Sequence, residues 1–257
     1  MDCTIWGIKN MEKDIKIEET TSVAKNLVDV KEKNLGKEDL VKQMFEVGAQ
    51  YGYSKSKRHP STMKYIFGLK NRVEIFDLEK TVEELVKAEE FVSSLAKEGK
   101  KILFIGTKNE ARNIVKENAE SANQPYVINR WIGGTITNFS EIKKRVNRLI
   151  ELKEKREKNE FSKYTKKEQL LIDREIKRLD EKFGGIISLE KIPDAVFVID
   201  VKKEKIAVQE AIAGNIPIIS LSSSDCNLEN VNYPIPANDS SVASVKFFVN
   251  RITNVIK

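Results

Sequence analysis

Ile102-Leu103-Phe104-Ile105-Gly106-Thr107-Lys108-Asn109-Glu110 decides the fold. Its first four residues are apolar without alternation, as in a strand covered on both faces, and the glycine and polar residues behind them end the strand and open a helix. Thr107-Lys108-Asn109-Glu110 has the form of a capping box, in which a hydroxyl and a glutamate three residues on satisfy free N–H groups of the first turn. Upstream, Val73-Glu74-Ile75-Phe76 reads as a strand. A second capping box at Thr81-Val82-Glu83-Glu84 then opens a helix burying Val82, Leu85, Val86, Val92 and Leu95, which stops at Gly99. Strand, helix and strand make a βαβ unit.

The same alternation returns downstream. Pro193-Asp194-Ala195-Val196-Phe197-Val198-Ile199-Asp200 feeds a helix from about Lys205 to Ala213, and Ile216-Pro217-Ile218-Ile219-Ser220-Leu221 leads into a Ser-rich loop. Tyr233-Pro234-Ile235-Pro236 is a short last strand, after which Asp239 is placed to cap a helix burying Val242, Val245, Phe248, Val249 and Ile252. Doubly apolar strands alternating with amphipathic helices predict an α/β fold, a mostly parallel sheet with helices on both faces.

Between these halves lies a segment of another kind. Arg130-Trp131-Ile132-Gly133-Gly134-Thr135-Ile136-Thr137-Asn138-Phe139 is a glycine turn that launches residues 141–182, where 15 Lys/Arg face 10 Asp/Glu. That excess of +5 is nearly the whole net charge of +6. Ile142, Val146, Leu149 and the Lys153 stem form one stripe, Ile172, Ile176, Leu179 and Phe183 another, and a third capping box stands at Thr165-Lys166-Lys167-Glu168. Narrow stripes amid charge predict a protruding antiparallel helical hairpin, coiled-coil-like, from which Gly184-Gly185 returns the chain. Residues 1–36 read as a flexible extension, 37–140 and 183–257 as the α/β domain, and 141–182 as its insertion. Before the first strand, Leu40, Met44 and Val47 share a helix face, and Gly48 to Pro60 reads as a basic, aromatic loop around Tyr51 and Tyr53.

A chain of 257 residues that is 40% hydrophobic can build a substantial core. A sequence pI near 9.0 favours polyanion partners, although a Lys-rich solvated surface has the same composition. Cys3 and Cys226 are too few for a disulfide framework or a four-thiolate zinc site, which points to a reducing, cytoplasmic setting. No apolar run approaches the length of a membrane span, so no membrane partner is expected.

Several motifs invite chemistry. Gly106-Thr107-Lys108 could hold a phosphate at a helix start, and Asp77, Asp194, Asp200, Asp225 and Asp239 lie near strand ends, where an α/β enzyme places ligands. Both glycine-rich nucleotide fingerprints are absent, and strand-end aspartates commonly cap helices, so no catalytic, cofactor or metal residue is assigned. The one histidine, His59, has no carboxylate beside it in sequence. The basic positions carry more. Lys55, Lys57, Arg58, Lys64, Lys70 and Arg72 gather in one loop region, and Arg130, Lys143, Lys144, Arg145 and Arg148 follow the glycine turn, with Tyr53, Tyr65 and Trp131 interleaved. Lysine and arginine supply phosphate contacts and aromatic faces stack on unpaired bases, so these residues, with Lys108 and Trp131, are the candidate RNA-binding set.

The Arg130–Phe139 run resembles the most distinctive segment of the bacterial small-subunit ribosomal protein S2 family. The spaced pattern Pro193, Asp194, Ala195, Val196, Phe197, Val198, Asp200, Glu204, Val208, Glu210, Asn215, Ile216, Pro217 is similar too, as are Tyr65-Ile66-Phe67-Gly68, Phe104-Ile105-Gly106-Thr107-Lys108 and Tyr233-Pro234-Ile235-Pro236-Ala237-Asn238-Asp239. The resemblance covers about residues 38–257. It implies a flavodoxin-like domain in the small ribosomal subunit, a structural and non-enzymatic role, and no homo-oligomer. The implied partners are small-subunit ribosomal RNA, neighbouring ribosomal proteins, and ribosomal protein S1, which engages messenger RNA. Two departures stand out: Gln50-Tyr51-Gly52-Tyr53 replaces the family's usual His-Phe-Gly-His, and Ser223-Ser224-Asp225 its Asp-Thr-Asn. Both argue against the metal site that some members carry. An α/β nucleotide-binding enzyme and a coiled-coil adaptor are the competing readings.

Overall fold

The structure, a computed structural model, describes residues 36–257, so the expected N-terminal extension lies outside it except for Gly36. A helix α1 spans 36–46, with Met44 fully buried and Leu40 and Val47 half-buried. Three short strands follow: β1 Tyr51–Ser54, β2 Ile66–Lys70 and β3 Val73–Phe76. They form an antiparallel sheet of their own, in the order β1-β3-β2. The stretch expected as a loop from Gly48 to Pro60 therefore contains a strand, because β3 offers Tyr51 and Ser54 a ladder partner.

After helix α2, Leu78–Lys97, come β4 Ile102–Ile105, helix α3 Asn109–Ser121 and β5 Tyr126–Val127. Helices α4 Phe139–Glu157 and α5 Lys166–Phe183 intervene before β6 Ala195–Ile199, α6 Lys205–Ala213, β7 Ile218–Ser222, β8 Tyr233–Pro236 and α7 Val242–Ile256. The five later strands make a parallel sheet in the order β5-β4-β6-β7-β8, flanked by helices in the manner of a flavodoxin-like fold. Since β3 belongs to the other sheet, β3–α2–β4 bridges two sheets and is not the βαβ unit its sequence suggests. The parallel sheet begins with β4–α3–β5.

Strands β4, β6 and β7 are buried at every residue, as their continuous apolar runs require. Leu103, Ile105, Val196, Val198 and Ile218 join one cluster with Trp131, Ile136, Ala207, Val208 and Ala211, and this continues into Ile142, Val146, Leu149 and Leu152 of α4 and Ile176, Leu179 and Phe183 of α5. Elsewhere α7 packs on α2 and α3, and α2 on β8. Leu152, not the Lys153 stem, completes the α4 stripe. Arg148–Glu175, Lys153–Asp180 and Arg156–Asp173 link α4 to α5 across their flanks. The capping box at Thr165 and Glu168 is present in full.

The other two boxes are not. Asp77 caps α2 by accepting from the Glu79 N–H, which leaves Thr81 inside the helix, its hydroxyl 2.8 Å from the Pro236 carbonyl oxygen. Thr107 turns to Glu204, and α3 starts without a side-chain cap. Asp239 is buried elsewhere, so Ser241 caps α7 and Val242 faces solvent.

Gly184-Gly185 packs against β5: a methyl group at Gly185 would collide with the Tyr126 carbonyl oxygen and ring. Gly185→Ala should cost about 2 kcal/mol as an overpacking change, read as a lower urea midpoint at unchanged slope.

Candidate nucleic-acid interface

In an open parallel sheet the ligand crevice lies beyond the carboxyl ends of the strands, where the strand order reverses. Here that point falls between β4 and β6, at Gly106-Thr107-Lys108 and Asp200. Protein fills it. The Lys108 ammonium lies 2.7 Å from an Asp200 oxygen and 2.9 Å from one of Asp239, and all three residues are buried. Asp200 sits in the left-handed region at φ 66 and accepts from the N–H groups of Lys202 and Lys203, so local hydrogen bonds hold an otherwise unfavourable backbone. Glu204 accepts both the N–H and the hydroxyl of Thr107, occupying the donors a phosphate would use. A Cβ at Gly106 would meet the Val115 side chain at 2.9 Å.

Burial disfavours charge on Lys108, but Asp239 and Asp200 outweigh it and hold the ammonium protonated above its ordinary 10.5. Burial also pushes the Asp239 carboxyl up to about 6, against the pull of Lys108. Asp200, Cys226 and Asp239 bring their ligand-type atoms within 4.8 Å of one another, which is close enough to surround a cation. Lys108 provides that cation, and the buried Cys226 thiol is pushed upward by burial and by Asp200, which disfavours the thiolate a metal would bind. Gln50, Tyr53 and Ser223, at the positions where the family resemblance suggests a metal, offer only neutral oxygens, and the Tyr53 hydroxyl is bonded to Ser240. These three positions lack the imidazole and carboxylate ligands that the resemblance associates with a metal.

The remaining strand-end carboxylates serve structure. Asp77 caps α2, Asp194 accepts from the Lys101 N–H at the start of β4, and Asp225 pairs with Lys202 at 2.9 Å. The His59 ring accepts from the Ser61 N–H and so caps the short helical turn Pro60–Tyr65.

The glycine turn before α4 has a different logic. Glu210 of α6 accepts from the Trp131 indole N–H at 3.0 Å and the backbone N–H groups of Gly134 at 2.8 Å, Ile136 at 3.0 Å and Thr137 at 3.3 Å. Gly134 has φ 90, a conformation that only glycine adopts without strain, and this lets successive N–H groups converge on one carboxylate. Burial alone would raise the Glu210 pKa. Hydrogen bonds from Trp131, Ile136, Gly134 and Thr137 prevail and lower it below its ordinary 4.5. Apart from the family pattern, the sequence signals this link only by a glutamate on a mostly apolar helix.

The candidate RNA-binding residues therefore divide. Lys108 and Trp131 are buried and bonded within the fold, which leaves neither presented at the surface. Arg58 pairs with the buried Glu74 at 3.0 Å, Lys143 donates to the Glu190 carbonyl, Lys144 pairs with Glu141, and Arg148 with Glu151 and Glu175. Lys57 and Lys64 rest over the rings of Tyr53 and Tyr65. Lys55, Lys70, Arg72, Arg130 and Arg145 are exposed and have no ion-pair partner among the described residues. A cleft of about 510 Å³ between α4 and α5, lined by Lys153, Arg156, Asp173 and Lys177, encloses cross-helix ion pairs and no reactive group.

A family model described as Ribosomal protein S2 matches residues 44–257, all of the chain but its first 43 residues.

Two substitutions test the buried charges. Glu210→Gln turns an amide N–H toward N–H donors and should cost about 3 kcal/mol in urea unfolding. A depressed carboxyl pKa stabilises the fold above the unfolded value and loses that contribution as pH falls through the folded one, so the two proteins should converge in acid. Lys108→Met leaves two carboxylates buried together and should cost about 3–5 kcal/mol near pH 7. Without the pull of Lys108 the Asp239 carboxyl protonates at a higher pH in the variant than in the parent, where its pKa is about 6, so the variant gains stability first and the deficit should narrow as pH falls from 7 through about 6.

Proposed function

The chain belongs to the ribosomal protein S2 family, and from that premise we propose that it binds ribosomal RNA through the exposed cations its own carboxylates leave free. It is a small-subunit ribosomal protein, a constituent of the translating ribonucleoprotein. The observation that carries the RNA reading is the contrast between its two sets of charge. Carboxylates and a lysine close the crevice where an α/β enzyme would take a ligand, while Lys55, Lys70, Arg72, Arg130 and Arg145 stand exposed without acidic partners among the described residues. Polyanion binding needs such cations, since each phosphate neutralised releases a counterion.

In this reading the α/β domain is 37–140 and 183–257, and α4–α5 is an inserted charged arm that follows Arg130 and carries Arg145. Neighbouring small-subunit proteins complete the partner set. A role in docking ribosomal protein S1 rests on the family resemblance alone, as do a ribosomal location in the cytoplasm and a non-catalytic role. No helix among the described residues is long and apolar enough to cross a membrane. A nucleotide-binding enzyme would need the Thr107 N–H that Glu204 occupies, and a coiled-coil adaptor would need the apolar stripes that α4 and α5 bury.

The double variant Arg130→Glu/Arg145→Glu should reduce co-sedimentation with small subunits about tenfold or more and leave thermal unfolding unchanged. Its RNA affinity should depend less steeply on salt, by roughly 0.7–0.9 in log–log slope for each phosphate contact removed. Normal incorporation at unchanged salt dependence would place the RNA contact elsewhere.

A further inference from the structure

The hairpin of β2 and β3 has features that folding does not explain. Phe67 is 81% exposed and Leu69 56%, in a strand at the edge of its sheet. Pairing of β2 with β3 shifts register between Ile66 and Gly68: Ile66 faces Phe76, Gly68 faces Ile75, and Phe67 is the extra residue of a bulge. Bulges free a residue from the ladder and re-aim its side chain, here into solvent. The strands are joined by Asn71 and Arg72, with φ 51 and φ 65. A two-residue turn with both centres left-handed favours Asn-Gly, so an arginine at the second centre carries a backbone cost that glycine would avoid. Lys64, Lys70 and Arg72 are exposed in the same segment as Phe67, while Glu74, the acid within β3, is buried against Arg58.

We propose that this hairpin is a stacking finger for unpaired RNA, with Phe67 against the face of a base and Lys70 and Arg72 on the flanking phosphates. The inference rests on the RNA-binding reading and deepens it. Charge and size favour RNA over a protein partner. Phe67 and Leu69 together fall far short of the apolar core of a stable protein interface, whereas one exposed ring suffices for one base. Exposed cations precede and follow Phe67 in sequence, and their sign suits the phosphates that flank an unpaired base. The bulge explains why the ring points outward, and a phosphate contact by Arg72 would account for an arginine kept where glycine costs less.

The test uses the full chain, a labelled single-stranded RNA of mixed sequence, and small subunits. Phe67→Leu keeps the apolar bulk and removes the aromatic face, and it should weaken RNA binding roughly tenfold, while Phe67→Tyr should bind like the parent. Arg72→Gly should raise the thermal midpoint and yet weaken binding, a divergence that a purely structural role would not give. Parent-like affinity of Phe67→Leu, with RNA binding otherwise intact, overturns the stacking finger and leaves the wider RNA reading standing. Failure of the parent chain to bind RNA overturns both. Loss of Phe67→Leu from small subunits at unchanged RNA affinity assigns the ring to a protein neighbour, and that also overturns the proposal.

Discussion

One carboxylate, Glu210, holds the loop on which the inserted helices depend. The loop 131–137 passes over α6 with its N–H groups turned inward, and buried donors without acceptors would each cost on the order of 1–3 kcal/mol. Glu210 meets several of them at once and takes the Trp131 indole N–H as well, so the tryptophan ring joins the core. The first residue of α4 follows two positions after Thr137, and the direction of that helix is inherited from the loop. A charge bonded by many donors fixes geometry more sharply than apolar packing, which tolerates sliding. The long helices can therefore be narrow, with one apolar stripe each, because their origin is already set.

Elements with strong periodicity were legible in the sequence. Strands β4, β6 and β7 announce themselves as apolar runs, and the stripes of α5 and α7 fall where spacing places them, apart from Ile172 and Val242 at their ends. What escaped were decisions made by distant partners. Thr81 and Thr107 look like helix caps locally, but Pro236 and Glu204 claim their hydroxyls, and both lie more than ninety residues away. Tyr51–Ser54 reads as a loop because its strand character comes from pairing with β3 and not from its own composition. Among the candidate site residues, charge type was legible and commitment was not: Lys70 and Lys108 look alike in sequence, yet one is exposed and the other closes a buried triad.

That triad bears on how an open α/β sheet can serve without a ligand at its switch point. An open parallel sheet creates a crevice at its switch point whether or not a ligand is wanted. Lys108 and Asp200 come from the two strands that flank the crevice and Asp239 from beyond β8, so the ion cluster ties three strand ends together. The charge remaining outside is then free to meet a partner at the surface.

The pairing of β4 with β6 also has a consequence in time. Ile102 meets Ala195, about ninety residues later, so at about 5–20 residues per second β4 waits roughly 5–20 s after its own synthesis for the sheet's central strand, β6. During that interval Leu103, Phe104 and Ile105 have β5 beside them but lack the strand on the other side. Much of the intervening chain is α4 and α5, whose mutual contacts are local and can form as the residues emerge. Pairing of α4 with α5 would thus shorten the loop that must close before β6 can dock on β4.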